Sequence, residues 1–150
     1  MRLIILLLTS LFLTSCFWNS HKDKALEATQ EKLEADFIEE TRGVLNDKPI
    51  FQKKYATTIL NSTSMEVIKD EKTDSSAALT IKVKTVPATA RQSLREILAK
   101  QNQARETNFN TTEALTMIYQ QLKLNSDSSQ EMVINVQLKK GTDWEVISIK

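Results

Sequence analysis

Few side chains in this sequence of 150 residues could carry out chemistry. Cys16 is the only cysteine and His21 is the only histidine, and both lie near the N-terminus. Acid–base catalysis by histidine and histidine-rich metal sites are therefore nearly excluded, because both need histidine inside a folded domain. The two glycines, Gly43 and Gly141, stand far apart, so the sequence contains no glycine-rich phosphate loop.

Acidic pairs are the remaining candidates for catalysis. Glu39-Glu40 falls on a predicted helix surface and Asp70-Glu71 in a predicted turn, so we interpret both pairs as solvated surface charges. A hydrolase that uses carboxylates alone needs two acids directed into one cleft, and the predicted core faces carry no acid. The sequence therefore predicts a protein that is not an enzyme and that holds neither a cofactor nor a metal.

The residues that precede Cys16 indicate an anchor. Arg2 is followed by an apolar run from Leu3 to Leu13, which has the length of a secretory signal. A membrane span is the alternative, but it needs roughly 20 predominantly apolar residues. Leu13-Thr14-Ser15-Cys16 resembles the lipobox of bacterial lipoproteins. That resemblance implies diacylglyceryl transfer to the Cys16 sulfur, cleavage before Cys16 and, in many bacteria, acylation of the new amine.

A lipidated Cys16 would hold the protein at a lipid bilayer. Each buried methylene contributes about 0.8 kcal/mol, and a single acyl chain binds only marginally, so two or three chains are expected to matter. In Gram-negative lipoproteins an Asp after the cysteine commonly signals retention in the inner membrane. Phe17 stands there instead, which favours the outer membrane if the organism is Gram-negative. We expect a cleaved signal over 1–15, a lipidated cysteine and short tether over 16–21, and one domain over 22–150.

The charge balance argues against nucleic acid as a partner. The chain carries 20 basic and 19 acidic side chains, and such a neutral balance provides no general attraction for polyanions. Residues 78–105 are an exception, since basic residues strongly outnumber acidic ones there. We interpret four of them as a basic interaction patch for anionic lipid headgroups or an acidic partner, and the alternative is an ordinary solvated surface. The four are Lys82, Lys84, Arg91 and Arg95.

The first half of the chain predicts two helices and a hairpin. Apolar residues at helical spacing predict a helix from His21 to about Lys48, where Pro49 disfavours its continuation. A short helix is predicted over 49–60, although 56–60 could also be extended. Strands follow over 65–69 and 79–86, and the second alternates apolar and polar residues clearly.

The second half repeats that order. Pro87 begins a helical region, Asn108–Thr111 interrupts it, and Asn110 is placed to cap the next helix. Alternating strands follow over 132–139 and 144–149. The order helix, helix, strand, strand, helix, helix, strand, strand predicts an α+β domain. We expect an antiparallel sheet of about four strands in two hairpins, with helices packed on one face.

The last hairpin carries a second resemblance. Residues 132–146 place an alternating strand, a Lys-Lys-Gly-Thr-Asp turn and Trp144 in succession, and residues 79–87 run from a strand into Pro87. Both segments resemble small bacterial lipoproteins of unknown function with a cystatin-like sheet, related to the nuclear-transport-factor-2-like superfamily. The enzymatic branch of that superfamily commonly uses an acid–base pair that includes histidine, and this sequence departs from it.

Two functions are compatible with these residues. The first is a membrane-anchored envelope lipoprotein that acts as a non-catalytic interaction module, with an envelope protein as its partner. The second is a binder of a small apolar ligand in a pocket between sheet and helices. We expect that pocket to be lined by Phe51, Tyr55, Leu115 and Tyr119. Trp144 is interpreted as a core residue rather than a ligand-stacking one, and the last strand could offer an open edge to a partner strand.

Overall fold

The computed structural model describes residues 20–45, 49–104 and 108–150. Four helices and four strands follow one another in the predicted order, so the predicted α+β class is confirmed. They are α1 (His21–Glu39), α2 (Pro49–Asn61), β1 (Ser64–Lys72), β2 (Ser76–Thr85), α3 (Ala88–Gln103), α4 (Thr111–Gln121), β3 (Gln130–Lys140) and β4 (Trp144–Ile149). The predicted signal over 1–15 with its cleavage site, the lipidated Cys16 and the predicted tether up to residue 19 lie outside the described residues.

The four strands form one antiparallel sheet in the order β1-β2-β3-β4. One face of the sheet is buried, and on β2 this face consists of alternate residues from Ala77 to Thr85. The other face carries polar side chains such as Lys84 and Gln137, which are exposed. This alternation is what a sheet covered on one side requires.

The helices cover the buried face of the sheet. α1 contacts β2, β3 and β4, while α2 contacts α1, α3 and α4. Helix starts are defined by side chains: Ser20 and Asp23 form a reciprocal capping box at α1, and Asn110 accepts from the backbone of Thr112 and Glu113 at α4. The predicted role of Asn110 is thereby confirmed, and Pro87 takes the predicted place directly before α3.

Several predicted boundaries were wrong: β2 begins at Ser76 rather than Leu79, and the errors in α1 and β1 bear on the polar clusters described below. α1 ends at Glu39 rather than near Lys48, because the chain tightens into a succession of turns after it and Gly43 takes a positive φ of 82°. β1 extends to Lys72 rather than ending at Lys69. Its charged end continues to pair with β2 because α1 provides partners for Asp70, as described below.

Both edge strands are irregular. The register of β1 against β2 shifts between Val67 and Lys69, and the register of β3 against β4 shifts between Gln137 and Leu138. The central pair, β2 and β3, keeps one register throughout. Bulges at sheet edges increase the local twist and discourage pairing with strands of another chain. The edges are therefore poorly suited to strand addition.

The burial of only one face of the sheet can be tested by replacing isoleucine with alanine at a buried and at an exposed position. Ile81 in β2 is fully buried, whereas Ile68 in β1 is 51 % exposed. Ile81→Ala should lower the free energy of unfolding by about 2–5 kcal/mol, because it removes buried methylenes and leaves a cavity. Ile68→Ala should lower it by about 1 kcal/mol or less. Urea unfolding followed by circular dichroism measures both, and equal losses would contradict a sheet with one open face.

Candidate functional site

A polar cluster joins three helical segments inside the domain. Its members are Glu40, which directly follows α1, Tyr55 of α2, and Arg91 and Arg95, which stand one turn apart on α3. We call these four residues the Glu40 cluster. Tyr55 is fully buried, Arg91 is buried, and the other two are partly buried.

The contact between Glu40 and Arg91 is bidentate. Arg91 Nη2 lies 3.0 Å from Glu40 Oε1, and Arg91 Nε donates to Glu40 Oε2 over 3.2 Å. Arg91 Nη1 donates to the carbonyl oxygen of Val86 and to Gln130 Oε1. The guanidinium also lies over the ring of Phe37, 5.7 Å from its centre. Each nitrogen of this buried guanidinium therefore has a partner, which burial of a charge requires.

Tyr55 and Arg95 complete the cluster around the second oxygen of Glu40. The Tyr55 hydroxyl donates to Glu40 Oε2 over 2.6 Å, and Arg95 Nη1 donates to the same oxygen over 2.9 Å. Arg95 Nη1 also donates to the Tyr55 hydroxyl, 2.9 Å away. Burial raises the pKa of Tyr55, and Glu40 raises it further, while Arg95 acts in the opposite direction. Tyr55 is thus held as a neutral hydrogen-bond donor to Glu40.

The predicted basic interaction patch is divided by the fold. Arg91 and Arg95 belong to the Glu40 cluster, whereas Lys82 and Lys84 lie on the open face of the sheet. Both lysines pair with Glu131 of β3, at 2.9 and 3.4 Å. The hydrogen bond from Lys82, together with the charges of both lysines, lowers the pKa of Glu131. The four basic residues therefore do not form one continuous surface.

A groove of about 650 Å³ opens between α4, the loop that follows α4, and the adjoining ends of β1 and β2. Leu115, Tyr119 and Leu124 form its apolar part. The Tyr119 hydroxyl donates to the carbonyl oxygen of Ser128, and burial raises the pKa of Tyr119. The remaining lining is polar and consists mostly of hydroxyl groups: Ser62, Ser64, Lys84, Thr85, Thr116, Gln120, Ser126, Asp127, Ser128 and Ser129.

The four residues predicted to line an apolar pocket are separated. Leu115 and Tyr119 line the groove, while Phe51 and Tyr55 lie in the core of the domain. A second, smaller cavity of about 380 Å³ lies between α2 and the start of α4, and its lining includes Ile50, Lys53 and Thr112. None of the four predicted residues lines that cavity.

Another polar cluster lies at the opposite end of α1. His21, which the sequence analysis placed in the tether, is the first residue of α1 and is buried. Its Nε2 lies 2.9 Å from both carboxylate oxygens of Asp70, and Lys22 lies 3.3 Å from the same carboxylate. Desolvation acts to raise the pKa of Asp70, but the hydrogen bonds and charges of His21 and Lys22 outweigh it and lower that pKa.

Trp144 packs beside this second cluster. Its ring lies 5.5 Å from the ring of His21, and the amines of Lys72 and Lys140 lie over it at 5.7 and 5.8 Å. Trp144 is buried, as the sequence analysis expected of a core residue. Cation–π contacts at such sites contribute about 0.5–1 kcal/mol each, so the cluster stabilises the junction of α1 with both sheet edges.

Glu40 is the residue that sequence reasoning missed. It was interpreted as solvated together with Glu39, yet only Glu39 is exposed, in an ion pair with Arg42. The sequence does contain a signal: Leu33, Phe37 and Glu40 follow one another at helical spacing, and the first two are buried. An acid that continues an apolar stripe is therefore a candidate for a buried pair.

The described part of the chain contains neither a metal site nor a membrane-spanning helix. Within 20–45, 49–104 and 108–150, no three His, Cys, Asp or Glu residues are grouped to hold a metal ion. No helix in those ranges is both long enough and apolar enough to span a membrane. Comparison of the chain with protein-family models, curated proteins and solved structures finds no match. The resemblance to lipoproteins with a cystatin-like sheet therefore stays a prediction.

The Glu40 cluster should stabilise the fold far more than a surface ion pair. Arg91→Ala removes a side chain that is 8 % exposed and should lower the free energy of unfolding by about 3 kcal/mol. Arg42→Ala is the matched control, because Arg42 is 72 % exposed in its pair with Glu39 and should change stability by less than about 1 kcal/mol. Urea unfolding measures both, and equivalent effects would show that the cluster is dispensable.

The raised pKa values can be measured directly, because the chain has only two tyrosines. Tyr55 and Tyr119 should both ionise above pH 10 in the folded protein. The pKa of Tyr55 is higher in the folded chain than in the unfolded chain. Its stabilising contribution is therefore complete below pH 10 and is lost as the pH rises through the folded value.

Ultraviolet absorbance of tyrosinate during alkaline titration checks this expectation. The protein in urea should titrate close to pH 10, and the folded protein should titrate later, together with its unfolding. Tyr55→Phe should leave Tyr119 as the only signal. A folded wild-type protein in which one tyrosine ionises at its ordinary pKa would contradict the arrangement.

Proposed function

We propose that this chain is a lipid-anchored protein of the bacterial envelope whose domain binds another envelope protein through the groove. The observation that carries the proposal is the groove itself, a depression of about 650 Å³ surrounded by hydroxyl groups. The anchor is proposed on the lipobox-like sequence Leu13-Thr14-Ser15-Cys16, with Cys16 as the lipidated residue.

The lining of the groove favours a polar segment of a partner protein. Hydroxyl groups both donate and accept hydrogen bonds, so they can follow the alternating donors and acceptors of a peptide backbone. Lys84 and Asp127 contribute opposite charges, which gives the lining no net charge. The apolar part, formed by Leu115, Tyr119 and Leu124, offers a contact for an apolar side chain of such a segment.

The groove is also favoured because the alternatives are weaker. Strand addition, considered for the last strand, is disfavoured by the register shifts at both sheet edges. In the Glu40 cluster both carboxylate oxygens already accept from Arg91, Arg95 or Tyr55, which supports a structural rather than a catalytic role. Binding without chemistry needs only a shaped surface with polar groups placed to meet a partner, and the groove provides both.

A small apolar ligand is the second candidate. Leu115 and Tyr119, two of the residues predicted for such a pocket, do line the groove together with Leu124. Ligand pockets are, however, lined predominantly by apolar side chains, and only three of the residues that line this groove, Leu115, Tyr119 and Leu124, are apolar. Mass spectrometry of the protein purified without denaturation distinguishes the two functions, because an apolar ligand would remain bound in stoichiometric amount.

Site-specific photocrosslinking in cells tests the main proposal. A crosslinking residue replaces Gln120, which is exposed and lines the groove, or Gln137, which is exposed on the open face of the sheet. We expect one membrane protein to be captured from position 120 and not from position 137. Cys16→Ser, which cannot be lipidated, should reduce that capture strongly, because the domain would leave the membrane surface. Capture from position 137 alone would contradict the assignment of the groove.

A further inference from the structure

We propose that Arg95 presents a binding site for a carboxylate group at the surface of α3. The proposal begins with the charges of the Glu40 cluster. One carboxylate, that of Glu40, faces two guanidinium groups, those of Arg91 and Arg95, and Tyr55 is neutral. The cluster therefore carries one positive charge that its own members do not compensate.

Arg91 and Arg95 differ in how many guanidinium nitrogens have a hydrogen-bond partner within the domain. Arg91 uses Nε, Nη1 and Nη2 within the domain. Arg95 uses only Nη1, and its Nε and Nη2 have no partner among the described residues. These two nitrogens are not sealed in the interior, since Gln101 Oε1 is the one side-chain atom of the described part that is both buried and unpartnered. The side chain is 21 % exposed, so the free donors reach solvent.

The guanidinium of Arg95 is held in place through Nη1, on the side opposite to the unpartnered Nε and Nη2. Nη1 donates to Glu40 and to the Tyr55 hydroxyl, both over 2.9 Å, and the guanidinium lies over the Tyr55 ring, 5.7 Å from its centre. A free arginine loses much rotamer entropy when it binds a ligand. In Arg95 much of that ordering has already occurred, because the fold fixes one end of the guanidinium.

No acid of α3 occupies this edge. Glu96 is the only acidic residue of the helix, and its carboxylate accepts from Gln92, one turn earlier on α3. Glu40 is fully engaged with Arg91, Arg95 and Tyr55. Among the described residues no acid competes for Nε and Nη2 of Arg95, and these donors are available to a group from outside the domain.

The geometry of the edge selects the ligand. Nε and Nη2 of a guanidinium point in parallel, with a spacing that matches the two oxygens of a carboxylate. The single uncompensated charge matches a monoanion, whereas a phosphate dianion would lie close to the carboxylate of Glu40. The expected ligand is a carboxylate, carried by a free small acid or by an acidic side chain of a partner. This site is separate from the groove, so its test does not depend on the proposed function.

The experiment follows the Nε–H signals of the arginines by nitrogen-15 NMR in the full-length protein, kept in a nonionic detergent. Acetate is titrated in at constant ionic strength against chloride. We expect the Arg95 signal to shift and saturate. Arg42, an exposed arginine already paired with Glu39, serves as the internal control and should show only a small linear shift. If Arg95 and Arg42 respond alike, the proposal is overturned.

A variant and two further probes sharpen the result. Arg95→Lys keeps the charge but not the paired donors, so acetate binding, followed through the backbone amide of Gln92, should weaken about tenfold or more. Unchanged affinity would overturn the two-donor geometry, and tighter binding of phosphate than of acetate would overturn the choice of carboxylate.

A blocked peptide with one Glu is compared with its Gln counterpart. Binding of the Glu peptide alone assigns the site to acidic side chains, and binding of acetate without either peptide assigns it to small free acids.

Discussion

The hydrogen bonds to the carboxylate of Glu40 hold three helical segments of the domain in their relative positions. Glu40 follows the end of α1 and receives hydrogen bonds from α2 through Tyr55 and from α3 through Arg91 and Arg95. Three helical segments with no covalent cross-link between them are thus fixed relative to one another at a single group. Breaking a buried pair leaves an uncompensated charge, which costs far more than the net gain of forming it. The cluster therefore penalises other helix arrangements more than it adds to stability.

α1 is held in the same manner at its other end. His21 at the start of the helix binds Asp70 of β1, and Trp144 of β4 packs against His21. A helix of 19 residues spans about 28 Å, so the two clusters fix α1 across the sheet at widely separated points. Between them the contact is apolar and includes Leu33 and Phe37. Apolar packing contributes most of the free energy that holds α1 on the sheet, but it does not fix where along the sheet the helix lies. The two polar clusters at the ends of α1 fix that position.

The sequence predicted those parts of the fold that depend on local periodicity. The alternation in 79–86 and 132–139 identified strands, and Asn110 identified a helix start, because both signals act over a few residues. The predicted end of α1 was wrong because local turns and the positive φ of Gly43 stop the helix early. The predicted end of β1 was wrong because the partners of its charged end lie far away in the sequence. Asp70 lies in this extension of β1, and its partner His21 stands 49 positions earlier in the chain. The predicted basic interaction patch was divided for a similar reason. Its four residues are close in sequence, but the fold gives different partners to the lysines, Lys82 and Lys84, and to the arginines, Arg91 and Arg95.

The division of labour between Arg91 and Arg95 explains how one cluster can serve both the fold and a ligand. Arg91 is saturated, and its loss would expose unpaired groups in the core. Arg95 contributes one nitrogen to the cluster and leaves two outside. A surface arginine on a flexible side chain would offer the same donors, but it would have to be ordered during binding. Because Glu40 and Tyr55 already order Arg95, the stability of the domain and the affinity of the site have a common cause, and weakening the first is expected to weaken the second.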